Sequence, residues 1–452
     1  MATYRDMADR HLAEALPILA EMAGRLQWDS EQLAAHRQQA LRAFVRHAQD
    51  RSAWHAQRLA GVETERLTEA DLPSLPTMSK DDLMANWDQI VTEPRLTLAT
   101  AERHLDGLGD EGAYLLDEFH VCASGGSSGR RGVYVFGWRE WAILWTSYVR
   151  FMIAVPGAGP QDAPVAAMIG ARSPTHMSVA LATTFSTLAG HRYPVGLPIV
   201  EVVEGLNALQ PTMLVGYPSA MGILIDEQRA GRLAIAPRVV VATSEPLLPE
   251  VAAAISEVWG VVPVNVYATT DLGIMAVGCG RSDAMHLNDD LLICEPVDAA
   301  NRPVAKGEHA AKLLVTSLFG TTLPLIRYEL TDEVTVLPAA CPCGSPFSRI
   351  AHVQGRTDDV FRYAGGVIVH PHVLRSPLSR CAAVVEYQVR QTDDGADVVV
   401  RASGPFDAPA LRAQLAQALA GTGLRAAQVN VRVVDTIERT GMGKLKRFVP
   451  LG

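Results

Sequence analysis

PTMLVGYP (211–218), SAMGILIDEQRAG (219–231), VVVA (239–242), LPEVAAAISEVWG (248–260) and VVPVNVYA (261–268) follow one another along the chain. Short apolar runs here alternate with amphipathic ones. Both amphipathic runs end at glycine, the residue favoured just past a helix C-terminus. Strands separated by helices imply a buried, largely parallel sheet. PVAAMIG (164–170) extends the same pattern upstream.

The pattern changes on either side. Past residue 285 it turns to strands and turns, and AKLLVTSL (311–318) and LIRYELTDEVTV (325–336) read as successive strands of a second, more antiparallel layer. Beyond residue 357, VVEYQVRQ and ADVVVRAS are strand-like, and Asp407 is placed to cap a helix carrying Leu411, Leu415 and Leu419. Val429, Val431 and Val433 alternate with polar residues there. Residues 1 to about 100 read as helices and loops, with Leu33, Leu41 and Phe44 on one helical face, and carry no assigned chemistry. The expected fold is α/β: a large N-terminal domain of layered sheets and helices, 1–357, and a small C-terminal α+β domain, 358–452.

Composition narrows the function. The 452 residues hold 49 acidic and 40 basic side chains, a formal charge of -9, and no long basic run that could follow a phosphate backbone, so nucleic acid is not an expected partner. The first thirty residues mix charge with Leu12, Leu16, Leu19 and Leu26, a helical stripe and not the apolar core of a signal peptide. No segment reaches about 18 apolar residues, so no membrane span is expected and the cytoplasm is the expected address. Six cysteines are too sparse for a disulfide scaffold, so clustering among them points to metal.

ASGGSSGRRG (123–132) follows an expected strand and packs three serines among four glycines. Backbone amides left free in such a turn, with hydroxyl donors beside them, suit polyphosphate oxygens; a plain flexible loop has the same composition. The lysine of a Walker loop is absent, so this is not an ordinary P-loop. Four later segments follow in order: YATTDLG (267–273), IRYELTD (326–332), GRTDDVF (355–361) and TGMGKLKR (440–447).

Together the five motifs resemble the adenylate-forming superfamily, and within it the phenylacetate-CoA ligase-like branch, from about residue 115 to the C-terminus. The resemblance implies an ATP-dependent ligase that activates a carboxylic acid as acyl-AMP, with release of pyrophosphate, and passes the acyl group to a thiol, foremost coenzyme A. A phosphopantetheine carrier protein or an amine is the alternative acceptor, and a non-catalytic nucleotide-binding homologue the alternative class. A homodimer is one expected assembly.

By the same resemblance, Ser124, Ser127, Ser128 and Gly129 would hold the β- and γ-phosphates of ATP, while Ser244, Glu245 and Pro246 with Tyr267, Ala268 and Thr269 would frame adenine and the α-phosphate. Asp271 stands where the family usually has glutamate, the carboxylate thought to hold Mg²⁺, and is one methylene shorter. Asp332 matches the aspartate that grips the ribose hydroxyls and Arg356 an arginine beside ribose and phosphate; Asp358 matches the hinge, and Lys444 the lysine that reaches the α-phosphate and carboxylate.

A second cluster is separate from these. CPCG (341–344) has the look of a metal half-site, and CGRSDAMH (279–286) supplies two further ligands, so Cys279, His286, Cys341 and Cys343 form a candidate structural zinc site. Free buried thiols are the other reading, since Cys-x-Cys is a tighter bite than the usual spacing. His176 and Tyr217 are candidates for lining an acyl pocket, with a structural role favoured for both.

Overall fold

In the computed structural model the two glycine-ended runs form helices, Pro218–Arg229 and Pro249–Trp259, each with proline in its first turn. Gly260 takes φ +70° and Gly231 φ +73°, the left-handed conformation that lets the chain leave a helix. The structure describes residues 3–451 apart from 111, 125–131, 155–163, 172, 186–189, 195–196, 352, 354, 357–359, 370, 382, 403 and 440–444.

The strands between those helices are parallel, as expected. His191–Pro194, Ala166–Gly170, Met213–Gly216, Val239–Thr243 and Val264–Thr269 lie side by side in that order. The apolar residues of the last three point into two cores, one around Leu214, Val240 and Ala242, the other around Val241, Val264 and Val266. Two covered faces explain why these runs are continuously apolar.

At Thr269–Gly273 the chain reverses. Gly273–Gly278 pairs back antiparallel on Val264–Thr269, and the sheet continues antiparallel through Met285–Leu287, Arg349–Ile350, Asp332–Leu337 and His309–Ala310. Gly273 has φ +74°, and a Cβ on it would lie 2.0 Å from Leu144 Cδ2, so both backbone and packing demand glycine there.

The stretch LIRYELTDEVTV departs from the single strand expected of it. Tyr328–Leu330 belongs to a three-stranded sheet with Lys312–Ser317 and Leu292–Val297, whereas Asp332–Leu337 belongs to the large sheet. The chain changes sheets at Thr331, which sets Asp332 at the start of a strand of the large sheet.

Residues 361–449 have a core of their own, built on Leu374, Leu378, Tyr387, Val389, Val398, Val400, Leu411, Leu415, Leu419 and Phe448. Its sheet runs Gln428–Val433, Gly395–Ala402, Val384–Gln391, Phe448–Val449, covered by helices Pro371–Arg380 and Ala408–Gly421. Asp407 accepts the Ala410 amide at 2.8 Å, the cap read from sequence. Among the described residues no helix is long and apolar enough to cross a membrane.

The N-terminal helices Tyr4–Arg25 and Ser30–Arg51 are tied to the sheets by buried charge. Arg150, on helix Trp138–Ala154, is 1% exposed and forms a two-point bond to Asp290 (2.7 and 2.8 Å), with further bonds to Asn288 Oδ1 and the Met22 carbonyl. Arg25 reaches the same carboxylate at 3.2 Å. Burial works to raise the Asp290 carboxyl, but Arg150 and Arg25 outweigh it and hold it below the usual range. Replacing one member strands the others in a dry site. Asp290→Asn is expected to destabilise the fold by roughly 3 kcal/mol; a urea midpoint unchanged from wild type would contradict this.

Candidate active site

A parallel sheet offers ligands the space beyond its carboxyl edge. Three features meet there in this chain. The first is the TSEP segment, which leaves strand Val239–Thr243 with Ser244 at φ +68°. That strained backbone turns Glu245 toward the neighbouring helix, where its Oε2 accepts the Ser219 amide at 3.1 Å. Oε1 accepts the Leu445 amide at 2.9 Å, a bond spanning 200 residues.

The second is the end of the next strand. The Tyr267 hydroxyl donates to Asp332 Oδ2 at 2.8 Å, and Asp332 is 5% exposed. Two motifs 65 residues apart are thereby joined. The Asp332 backbone pairs with that of Arg356 in antiparallel register, so a third motif arrives at the same place. Thr269 Oγ1 accepts the Leu272 amide, closing the turn that carries Asp271. Asp271 is half-buried; the Tyr328 phenol is pushed well above its usual range, by burial first and then by the Asp271 charge, and Tyr328 also bonds Tyr134 at 3.2 Å.

The third is the base of the glycine-rich loop. Strands Phe119–Ala123 and Val133–Gly137 pair antiparallel on either side of it. At its neck the Ser124 amide donates to the Gly132 carbonyl, and Ser124 Oγ accepts the Gly132 amide, both at 2.9 Å. The Lys80 ammonium donates to the same Ser124 Oγ at 2.9 Å. Lys80 comes from the N-terminal region to which sequence reading assigned no chemistry. Its signal in the sequence was an N-cap serine, Ser79, which starts helix Lys80–Ala85 on that lysine, and nothing local says where the side chain goes.

Ser127, Ser128, Gly129, Asp358 and Lys444 lie outside the described residues. Tyr217 is buried, with its phenol raised by burial first and then by the Glu245 charge, so it stands beside the TSEP segment. His176 caps helix Met177–Thr184, its Nδ1 accepting from the Ser178 amide at 3.2 Å, which is the structural role the sequence favoured.

The cysteine cluster lies apart from these three features. One ligand atom from each of Cys279, His286, Cys341 and Cys343 falls within 4.8 Å of all the others. Cys279 and Cys341 sulfurs are 3.7 Å apart, and Cys343 Sγ is 3.3 Å from His286 Nε2. His286 Nδ1 donates to the Phe347 carbonyl at 3.2 Å, which fixes the tautomer that leaves Nε2 a lone pair.

No protein-family profile matches the chain. Phenylacetate-coenzyme A ligase of Thermus thermophilus is 24% identical over 400 residues, covering 83% of this chain and 83% of the relative. The Escherichia coli enzyme of the same name is 24% identical over 370 residues, 77% of this chain and 76% of its own. Among solved structures, 2-hydroxyisobutyryl-CoA ligase in the postadenylation state superposes with TM-score 0.74 at 19% identity, over 94% of this chain and 91% of that one. Its open conformation with an acyl-adenylate and CoA gives 0.62, over 95% and 93%.

The chain shares its fold with acid-CoA ligases whose structures hold acyl-adenylates. In sequence it is phenylacetate-CoA ligase-like, and the resemblance drawn from the five motifs is borne out.

Proposed function

We propose that the chain activates a small carboxylic acid with ATP, releasing pyrophosphate, and transfers the acyl group from the adenylate to the thiol of coenzyme A. The observation that carries this reading is the Tyr267–Asp332 bond at the carboxyl edge of the sheet. It brings the YATTDLG and IRYELTD motifs to one point, with Arg356 in register beside them.

Each residue then has a task. Tyr267 holds the Asp332 carboxylate in place, and that carboxylate accepts from the ribose hydroxyls. Adenine lies along Ser244, Glu245, Pro246 and Ala268, with Thr269 near the α-phosphate. Ser124, Ser127, Ser128 and Gly129 hold the β- and γ-phosphates, and Lys80, clasped to Ser124, supplies at that loop the cation a Walker lysine would otherwise give. Asp271 fits a hard divalent cation, being a half-buried carboxylate at the end of the turn, and Mg²⁺ bound there would neutralise phosphate charge. Lys444 offsets charge that builds as the carboxylate attacks phosphorus. Asp358 is the hinge about which the unit 358–452 turns between the two half-reactions. Lys444→Ala is expected to cut acid-dependent ATP–pyrophosphate exchange by about 10²–10³-fold with the melting temperature unchanged. Lys80→Ala is expected to raise the ATP KM as well. Wild-type exchange in Lys444→Ala would sink the assignment.

Cys279, His286, Cys341 and Cys343 hold a structural zinc in this reading. Two observations support it: thiolates and imidazole suit that metal, and the His286 tautomer is already fixed by Phe347. The four residues clamp the turn after Gly278 to the segment before strand Arg349–Ile350. Cys343→Ser should lower zinc content and melting temperature together and leave the chemical step per folded molecule unaltered. Protein purified without chelators and carrying well under one zinc per chain is the outcome that would refute the site.

A further inference from the structure

Two links tie the C-terminal segment to the helix Pro218–Arg229, through hydrogen bonds to which the chemistry above gives no task. The first is Glu245. Its carboxylate is divided between two backbone amides, Ser219 at 3.1 Å and Leu445 at 2.9 Å, so one side chain joins the start of that helix to the residue that directly follows Lys444 in sequence. The second is a chain of charge. Arg439 donates to Ser219 Oγ at 2.9 Å and to Glu386 Oε1 at 2.7 Å; Arg401 donates to Glu386 Oε2 at 2.9 Å and pairs with Asp226 at 3.6 Å. Ser219 and Asp226 are seven residues apart, two helical turns, and so stand on one face of the helix. Glu386 is only 3% exposed, although it serves two arginines.

The geometry has a particular asymmetry. An amide N–H has one proton to donate, and Glu245 gives one carboxylate oxygen to each of the two amides. Sliding the terminal segment by one residue would withdraw the Leu445 amide and leave a part-buried carboxylate oxygen without its donor, a costly change. The bond therefore specifies register, which bulk packing does not.

Resting on the activity proposed above, we infer that Glu245 is a positioning residue for adenylation. Its bond to Leu445, backed by the Ser219–Arg439–Glu386–Arg401–Asp226 relay, fixes the register of the terminal segment for the first half-reaction. The bond is released when the small unit turns for thioester formation. Framing adenine alone would give Glu245 equal weight in both half-reactions, since AMP is bound throughout; the latch adds weight in the first.

Three variants of the full-length chain test this: Glu245→Ala, Glu245→Gln and Arg439→Lys. In Glu245→Gln one oxygen becomes a donor, so only one of the two amides keeps an acceptor, with little change in size. The activity arm compares acid-dependent ATP–pyrophosphate exchange with thioester formation from synthetic acyl-adenylate and coenzyme A, using an acid found by pyrophosphate release. Exchange is expected to fall about 10- to 100-fold in Glu245→Ala and less in Glu245→Gln, and thioester formation from the adenylate is expected to fall by a clearly smaller factor than exchange in each. Arg439→Lys, which keeps the charge and loses the fork, is expected to lose exchange by about threefold to tenfold.

The second arm needs no substrate acid. Amide hydrogen exchange at Leu445, followed in the full chain with and without ATP, is expected to quicken about tenfold or more in Glu245→Ala. Unchanged Leu445 protection overturns the inference, as does equal loss of both half-reactions. A wild-type chain that shows no exchange with any acid defeats the proposed activity instead, and the Leu445 measurement still decides whether Glu245 holds the segment.

Discussion

The turn from parallel to antiparallel pairing at Thr269–Gly273 is the constraint on which the rest depends. A parallel sheet gathers strand ends on one edge, but it cannot by itself bring distant segments of chain back to that edge. The reversal does so. Once Gly273–Gly278 runs back along Val264–Thr269, the following strands continue the sheet antiparallel, and Asp332 and Arg356 come to lie in register beside the edge. Glycine is required at the pivot because φ is +74° and Leu144 fills the space a side chain would need. That one contact couples the site to helix Trp138–Ala154, and through Arg150 to the N-terminal helices.

What could be read from the sequence was what is local. The helices ending at Gly231 and Gly260, the parallel strands between them, the cap at Asp407 and the grouping of three cysteines with His286 each rest on a pattern within a few residues or on residue chemistry alone. The boundary inside LIRYELTDEVTV was hidden because both halves are strand-forming. Which sheet each half joins depends on partners near residues 313–315 and 349–356, far along the chain.

The site was legible only as an ordered set of motifs, with no geometry attached. Sequence spacing does not show that Tyr267 bonds Asp332, since the pairing depends on the sheet reversal and on the switch at Thr331. Lys80 was invisible for a stronger reason. A lysine at the start of a short capped helix looks like any solvated residue there, and where that helix begins depends on distant partners, the Met78 backbone bonding to Arg327 and Glu329.

The character of the contacts between the C-terminal unit and the helix Pro218–Arg229 has its own consequence. The small unit buries most of its leucines and valines in a core that shares no residue with the others, and among the described residues it is linked to that helix by amide, hydroxyl and guanidinium contacts. Apolar contacts between the units would gain from staying dry and would resist separation at every angle. Hydrogen bonds to carboxylates can be exchanged for water or for new partners at modest net cost, and they hold strongly only in one geometry. A unit attached in this way is firm in one orientation without being welded to it. The proposed rotation of the small unit between two half-reactions would need that combination, and here it follows from placing charge at Glu245, Glu386 and Asp226, where a static interface would have placed leucine.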